Sequence, residues 1–147
     1  MKQRFKLIAA VYLVLIKDDQ ILLLKRQNTG YEDGKYSFIA GHVDGNESLT
    51  TAIIREAKEE AGIMINVEDL SFLHVMHRKG ETSENERMDF FFTVSSYNGE
   101  ITNKEPEKCD EITWFPLAKT PDNTIPYIKT AIEYILKKQP LSEYGWE

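Results

Sequence analysis

A single cysteine, Cys109, stands in the 147 residues, so no internal disulfide can staple the fold. Three histidines are present, and none joins a Cys/His cluster with zinc-ligand spacing. Basic charge is also short: 18 Lys and Arg stand against 24 Asp and Glu, a net charge of −6. That balance argues against binding to a nucleic-acid polymer, because no basic surplus exists to neutralise phosphates. A small nucleotide stays open as substrate, since a bound cation can supply positive charge locally. Long hydrophobic runs are missing too. The N-terminal apolar stretch runs for only about ten residues before Lys17-Asp18-Asp19, too short to span a bilayer, and no small-residue cleavage site follows it. It reads as a buried strand in a cytoplasmic protein with no membrane partner. Repeats, low-complexity tracts and linker-like shifts in composition are absent, so residues 1–147 read as one domain with a hydrophobic content, 41%, ordinary for a globular chain.

Alternation and turn residues place the elements. Phe5 to Ile16 reads as a strand, Lys17 to Gln20 as a turn and Ile21 to Lys25 as the return strand. The polar, glycine-containing stretch Gln27 to Tyr36 is an exposed loop, and Ser37 to Val43 is a short strand. A helix follows, capped by Asn46 or Ser48 and ended by Gly62, with Ile53, Ala57 and Ala61 as its apolar stripe. Leu70 to Arg78 and Met88 to Ser96 read as strands, Asn98-Gly99 as a hairpin turn returning through Glu100 to Thr102, and Glu111 to Phe115 as another strand. Thr124 to Lys138 suits an amphipathic helix, and residues 139–147 read as a loosely ordered tail.

Chemistry concentrates between Gly41 and Ile63, GHVDGNESLTTAIIREAKEEAGI. Gly41 is followed after five residues by Glu47 and after seven more by Arg55-Glu56, then Ala57, Glu59-Glu60, Gly62 and Ile63. Glu56, Glu59 and Glu60 are spaced i, i+3 and i+4, so they share one helical face. Three like charges there call for a cation, and hard oxygen ligands select Mg²⁺ or Mn²⁺ over zinc.

This span fills every position of the pattern Gx5Ex7REUxEExGU, with U aliphatic, so the chain resembles the Nudix hydrolases. The resemblance implies an α/β fold, an α/β/α sandwich with a mixed sheet and the box as loop-helix-loop, and a divalent-metal-dependent enzyme that cleaves a diphosphate linked to another group. It implies metal ligation by Glu56, Glu59 and Glu60 with the backbone carbonyl of Ala40, and Arg55 as the group that orients a glutamate. Glu47 is expected to pair with Arg55 or lie outside the metal's direct ligands, beside Gly41 in the box loop. The general base that the resemblance implies is either a box glutamate or an acidic residue on a distant loop, for which Glu105 and Glu107 are the candidates.

Substrate choice must come from other positions. The stretch Asn103 to Asn123 is similar to that of the MutT-like nucleoside-triphosphate diphosphatases. On that resemblance Arg26 is a nucleotide contact, Phe38 an aromatic lining the base pocket, His42 a residue approaching phosphate and Asn123 a reader of purine edges. Three of these also have a structural reading: Arg26 covering a strand end, Phe38 in the core, Asn123 in a turn or cap. His77 and Arg78 are further pocket candidates on a strand. The expected reaction is Mg²⁺-dependent hydrolysis of a purine or oxidised-purine nucleoside triphosphate to monophosphate and pyrophosphate. ADP-ribose or dinucleoside polyphosphate hydrolysis, and a non-catalytic sensing module, are the alternatives. Monomer and homodimer both remain open.

Overall fold

The computed structural model describes residues 3–146; Met1, Lys2 and Glu147, at the two ends of the expected domain, lie outside the described residues. The order is β1 (Ile8–Leu13), β2 (Ile16–Lys17), β3 (Gln20–Arg26), β4 (Tyr36–Ser37), β5 (Ile39–His42), α1 (Leu49–Ala61), β6 (Leu70–Arg78), β7 (Arg87–Val94), β8 (Cys109–Pro116), α2 (Pro126–Leu136) and β9 (Leu141–Tyr144). A five-stranded mixed sheet runs β5-β1-β7-β6-β9, parallel at β1/β7 and β6/β9. A second sheet gathers β2, β4 and β8 around β3.

Side-chain alternation along β1 divides the core in two. Val11 and Leu13 point to one face and pack with Ile53, Ala57 and Ala61 of α1. Ala10 and Tyr12 point to the other, where Phe91, Met76 and the α2 residues Ile128 and Ala131 lie. A sheet buried on both faces between helices is the α/β/α sandwich that the sequence led us to expect.

Local signals explain how the box is set. Asp18 and Asp19 both hold positive φ, 52° and 61°, which suits a tight hairpin between β2 and β3. Ser48, not Asn46, caps α1: its side chain accepts from the Thr51 amide at 3.1 Å, while Asn46 sits at φ 64° in the preceding loop. Gly62, at φ 70°, ends the helix. Ala57 and Ala61 are fully buried, so their small side chains let α1 lie close to the sheet.

Three expectations need correction. The Asn98-Gly99 hairpin does not form: Asn98 and Met64 exchange backbone hydrogen bonds at 2.9 Å, and the amides of Thr102 and Lys104 donate to the carbonyls of Ala61 and Glu60 at 3.0 and 3.1 Å. Carbonyls in the last turn of a helix lack helical partners, and they capture this segment. The expected loose tail contains β9, which pairs with β6 and covers an edge that would otherwise expose its backbone groups. α2 begins at Pro126 rather than Thr124, with proline in the first turn where no amide is needed.

Candidate active site

A cavity of about 600 Å³ is walled by β1, β5, α1, the loop after β3 and the loop before β8. Glu56, Glu59, Glu60 and Glu105 all line it, as do Ala40, Gly41, His42 and Arg26. The first three project from one face of α1. Glu105 arrives because Lys104, just before it, is bonded to the C-terminal turn of that same helix. Glu107 is exposed and lies off the cavity wall, so the geometry separates the two base candidates.

Arg55 organises the acidic face. Its Nη2 and Nε donate to Glu47 Oε1 and Oε2 at 2.7 and 3.2 Å, a two-point grip. Nη1 donates to Glu56 Oε1 at 2.7 Å and reaches Glu59 Oε2 at 3.4 Å. Glu47 in turn accepts from the Asp44 amide at 2.7 Å, tying the box loop to the helix. Glu60 Oε1 accepts from the Ala40 amide at 2.9 Å, which fixes the helix against β5. The hydrogen bond from Arg55 is the main reason the Glu47 carboxyl titrates below its ordinary value. Burial pushes Glu60 up to about 8, with Glu56 and Glu105 adding to the rise and the Ala40 amide opposing it. Glu56 is raised as well, chiefly by burial, with Arg55 working the other way.

Carboxylates crowded and partly dehydrated in this way fit a hard divalent cation, which would relieve their repulsion. Among the described residues, no three acidic or imidazole side chains already converge on one point. Arg55 and the Ala40 amide hold the oxygens of Glu56 and Glu60 instead.

Basic and aromatic side chains also stand on the cavity wall, among small and polar ones. Arg26 Nε donates to the Tyr31 carbonyl at 2.8 Å and Nη2 to Thr29 Oγ1 at 3.1 Å, so the arginine both braces the 27–36 loop and faces the cavity. His42 Nε2 lies 2.9 Å from Arg87 Nη1, and because the guanidinium can only donate, the imidazole accepts as the neutral ring. Burial, then the Arg87 charge, lowers its pKa in agreement. Arg78, the last residue of β6, also lines the cavity, whereas His77 bonds Glu86 at 2.7 Å away from it. Arg87, Lys108, Tyr12, Tyr31 and Tyr127 are lining residues that the sequence reading missed. For Arg87 a signal existed in its alternation with Asp89 along a strand.

Two nucleotide-contact candidates are placed elsewhere. Phe38 is buried at 1% exposure and packs edge-on to Phe91, so it belongs to the core and not to the cavity lining. Asn123 is exposed and donates from Nδ2 to the Gly34 carbonyl at 2.8 Å, holding the 27–36 loop beside α2. Cys109 is buried, and burial lifts its thiol to about 11, which leaves it protonated and unreactive at neutral pH.

Comparison with known proteins agrees with this architecture. The NUDIX domain profile matches residues 6–135. The chain is 32% identical to the ADP compounds hydrolase NudE of Escherichia coli over 113 residues, covering 77% of this chain and 59% of that protein. It is 24% identical to the oxidized purine nucleoside triphosphate hydrolase of Danio rerio, covering 89% and 92% of the two chains. The crystal structure of a MutT NUDIX hydrolase from Burkholderia pseudomallei shares the fold with a TM-score of 0.78 at 24% identity, over 87% of this chain and 97% of that one.

Proposed function

Since the chain belongs to the Nudix family, we propose that it hydrolyses a nucleoside triphosphate, plain or oxidised purine, to the nucleoside monophosphate and pyrophosphate. The observation that carries this reading is one cavity with two chemistries: four carboxylates beside Arg26, Arg87 and Lys108. The carboxylates suit cations and the basic groups suit a polyphosphate. Similarity to the Danio rerio triphosphate hydrolase over nearly its full length supports the same substrate class.

Glu56, Glu59 and Glu60, with the Ala40 carbonyl, would hold Mg²⁺ or Mn²⁺, which when bound polarises phosphoryl oxygens and offsets their charge. Arg55 keeps Glu56 in place and is itself anchored by Glu47. Arg26 and Lys108 bind and orient the phosphate chain. Glu105 accepts a proton from the attacking water as its oxygen bonds to phosphorus, and the bond to the bridging oxygen breaks to release pyrophosphate. His42, neutral and bonded to Arg87, positions that guanidinium toward the phosphates.

Hydrolysis of an ADP-containing diphosphate is the second reading, favoured by the 32% identity with the Escherichia coli ADP compounds hydrolase. Product analysis with Mg²⁺ separates the two, using NTPs, dNTPs, 8-oxo-dGTP, ADP-ribose and diadenosine polyphosphates. Monophosphate and pyrophosphate from a triphosphate, at a kcat/KM of about 10⁴ M⁻¹s⁻¹ or more, is the expected result. Turnover of ADP-ribose alone would transfer the assignment to the second reading. Silence across the panel, with nucleotide binding intact, would favour a sensing module.

A further inference from the structure

The cavity carries a charged pair that the hydrolytic chemistry leaves unused. Arg78 ends β6, Asp89 sits in β7, and the side chains are 9% and 0% exposed. Arg78 Nε donates to Asp89 Oδ2 at 2.8 Å and Nη2 lies 3.5 Å from Oδ1. The Tyr12 hydroxyl also donates to Asp89 Oδ1, at 3.1 Å, so the carboxylate is held from two sides. A buried ion pair is weak evidence for stability, because desolvation offsets most of the attraction. Its presence at a ligand cavity invites a role in recognition.

The guanidinium is presented in a restricted way. Tyr127 covers one face, with Arg78 Cζ 3.7 Å from the ring centroid. Asp89 takes the side of the fork formed by Nε and Nη2. The end-on fork, Nη1 and Nη2, has one further contact, from Nη1 to the Tyr31 hydroxyl at 3.3 Å. Tyr31 belongs to the exposed 27–36 loop and is itself 42% exposed. One N–H on each Nη therefore stays available on an arginine that lines the cavity. Among the strand residues on the cavity wall, Ala10, Ala40 and Gly41 are small and leave space beside the larger Tyr12, His42 and Arg87.

The geometry points to Arg78, oriented by Asp89, as the residue that selects the nucleobase, taking a base edge with two adjacent hydrogen-bond acceptors. Among purines that edge is O6/N7 of guanine, the commonest bidentate partner of arginine. Adenine places an amino donor where O6 would be, and 8-oxoguanine carries a proton on N7. Both oppose an acceptor-free guanidinium. Cytosine offers the same acceptor pattern through N3 and O2. Selection of guanine over 8-oxoguanine narrows the triphosphate reading above to its plain-purine half and rests on the cavity being a nucleotide site.

Equilibrium binding of GMP, AMP, CMP, UMP and 8-oxo-GMP tests this without requiring turnover. The wild type should bind GMP at least about tenfold more tightly than AMP or UMP. Arg78→Lys keeps a cation against Asp89 but lacks the fork, so it should bring GMP and AMP within about twofold while AMP binding holds. Should Arg78→Lys fold poorly, the neutral pair Arg78→Gln with Asp89→Asn serves the same purpose. CMP binding equal to GMP would support the acceptor-pair rule and extend it to pyrimidines. Equal wild-type affinity for GMP and AMP, or a GMP preference that survives both variants, would overturn the inference. Preference for GMP without hydrolysis of any triphosphate would sink the proposed reaction and leave the recognition intact.

Discussion

Gly41 and Glu56 face each other so closely that a β-carbon on Gly41 would overlap the Glu56 carboxylate. The glycine is needed for this approach and not for an unusual dihedral, since its φ lies outside the positive region. Gly41→Ala can be accommodated by moving the end of a flexible side chain, so the fold should survive with a small change in Tm. The displaced carboxylate should cost about 100-fold in kcat, the scale of a misplaced reacting group. Steady-state kinetics beside a thermal melt checks both halves, and a fully active Gly41→Ala would remove Glu56 from the chemistry.

Arg55 bridges Glu47 and Glu56 with separate nitrogens. Lysine lacks the planar fork that grips Glu47 at two points while a third nitrogen holds Glu56, so Arg55→Lys keeps the charge and loses the brace. Activity should fall about 10- to 100-fold, as for other groups that orient metal-binding carboxylates. The loss should be accompanied by a higher Mg²⁺ requirement, read from activity against Mg²⁺ concentration. Unchanged Mg²⁺ dependence would mean that Arg55 acts on the substrate directly.

What the sequence made legible follows from local rules. The box helix, its Ser48 cap and Gly62 stop, and the limits of β6 depend on nearby residues and stand where expected. Phe38 and Ile39 point to opposite faces of a sheet buried on both, so alternation gave no hint that neither would line the cavity. Asn98-Gly99 had turn chemistry, but the helix end competed successfully for the segment that follows. The Arg78–Asp89 pair depends on the β6/β7 register, which sets Arg78 opposite Arg87 and Met76 opposite Asp89. Register between strands joined by a polar loop is a tertiary property, and no local pattern encodes it.

Asp89 is fully buried with Arg78 as its ion-pair partner. Asp89→Ala leaves a guanidinium buried without its carboxylate and should destabilise the protein by about 3–5 kcal/mol. Asp89→Asn retains an acceptor for Arg78 Nε and should cost clearly less. Urea unfolding of the two variants gives the comparison. Equal, small losses would indicate that water reaches Arg78 readily in the folded state.

The raised pKa of Glu60 gives stability a pH dependence whose sign is fixed. Burial lifts this carboxyl from its ordinary value of 4.5 to about 8. Below 4.5 the group is protonated whether the chain is folded or unfolded, and it does not distinguish the two states. Between 4.5 and about 8 the unfolded chain releases the proton while the folded chain keeps it, so stability falls as pH rises, and it levels off above 8. Glu56, also raised by burial, adds a change of the same sign. Metal-free wild type should therefore lose stability from pH 5 to pH 8 more steeply than Glu60→Gln, which has no proton to release there. At pH 8, Mg²⁺ should restore more stability to the wild type than to Glu60→Gln, because binding to the folded state stabilises it by mass action. Chemical denaturation at several pH values, with and without Mg²⁺, measures both effects. Parallel pH curves for wild type and Glu60→Gln would show that the Glu60 carboxyl is hydrated and titrates as it does in the unfolded chain.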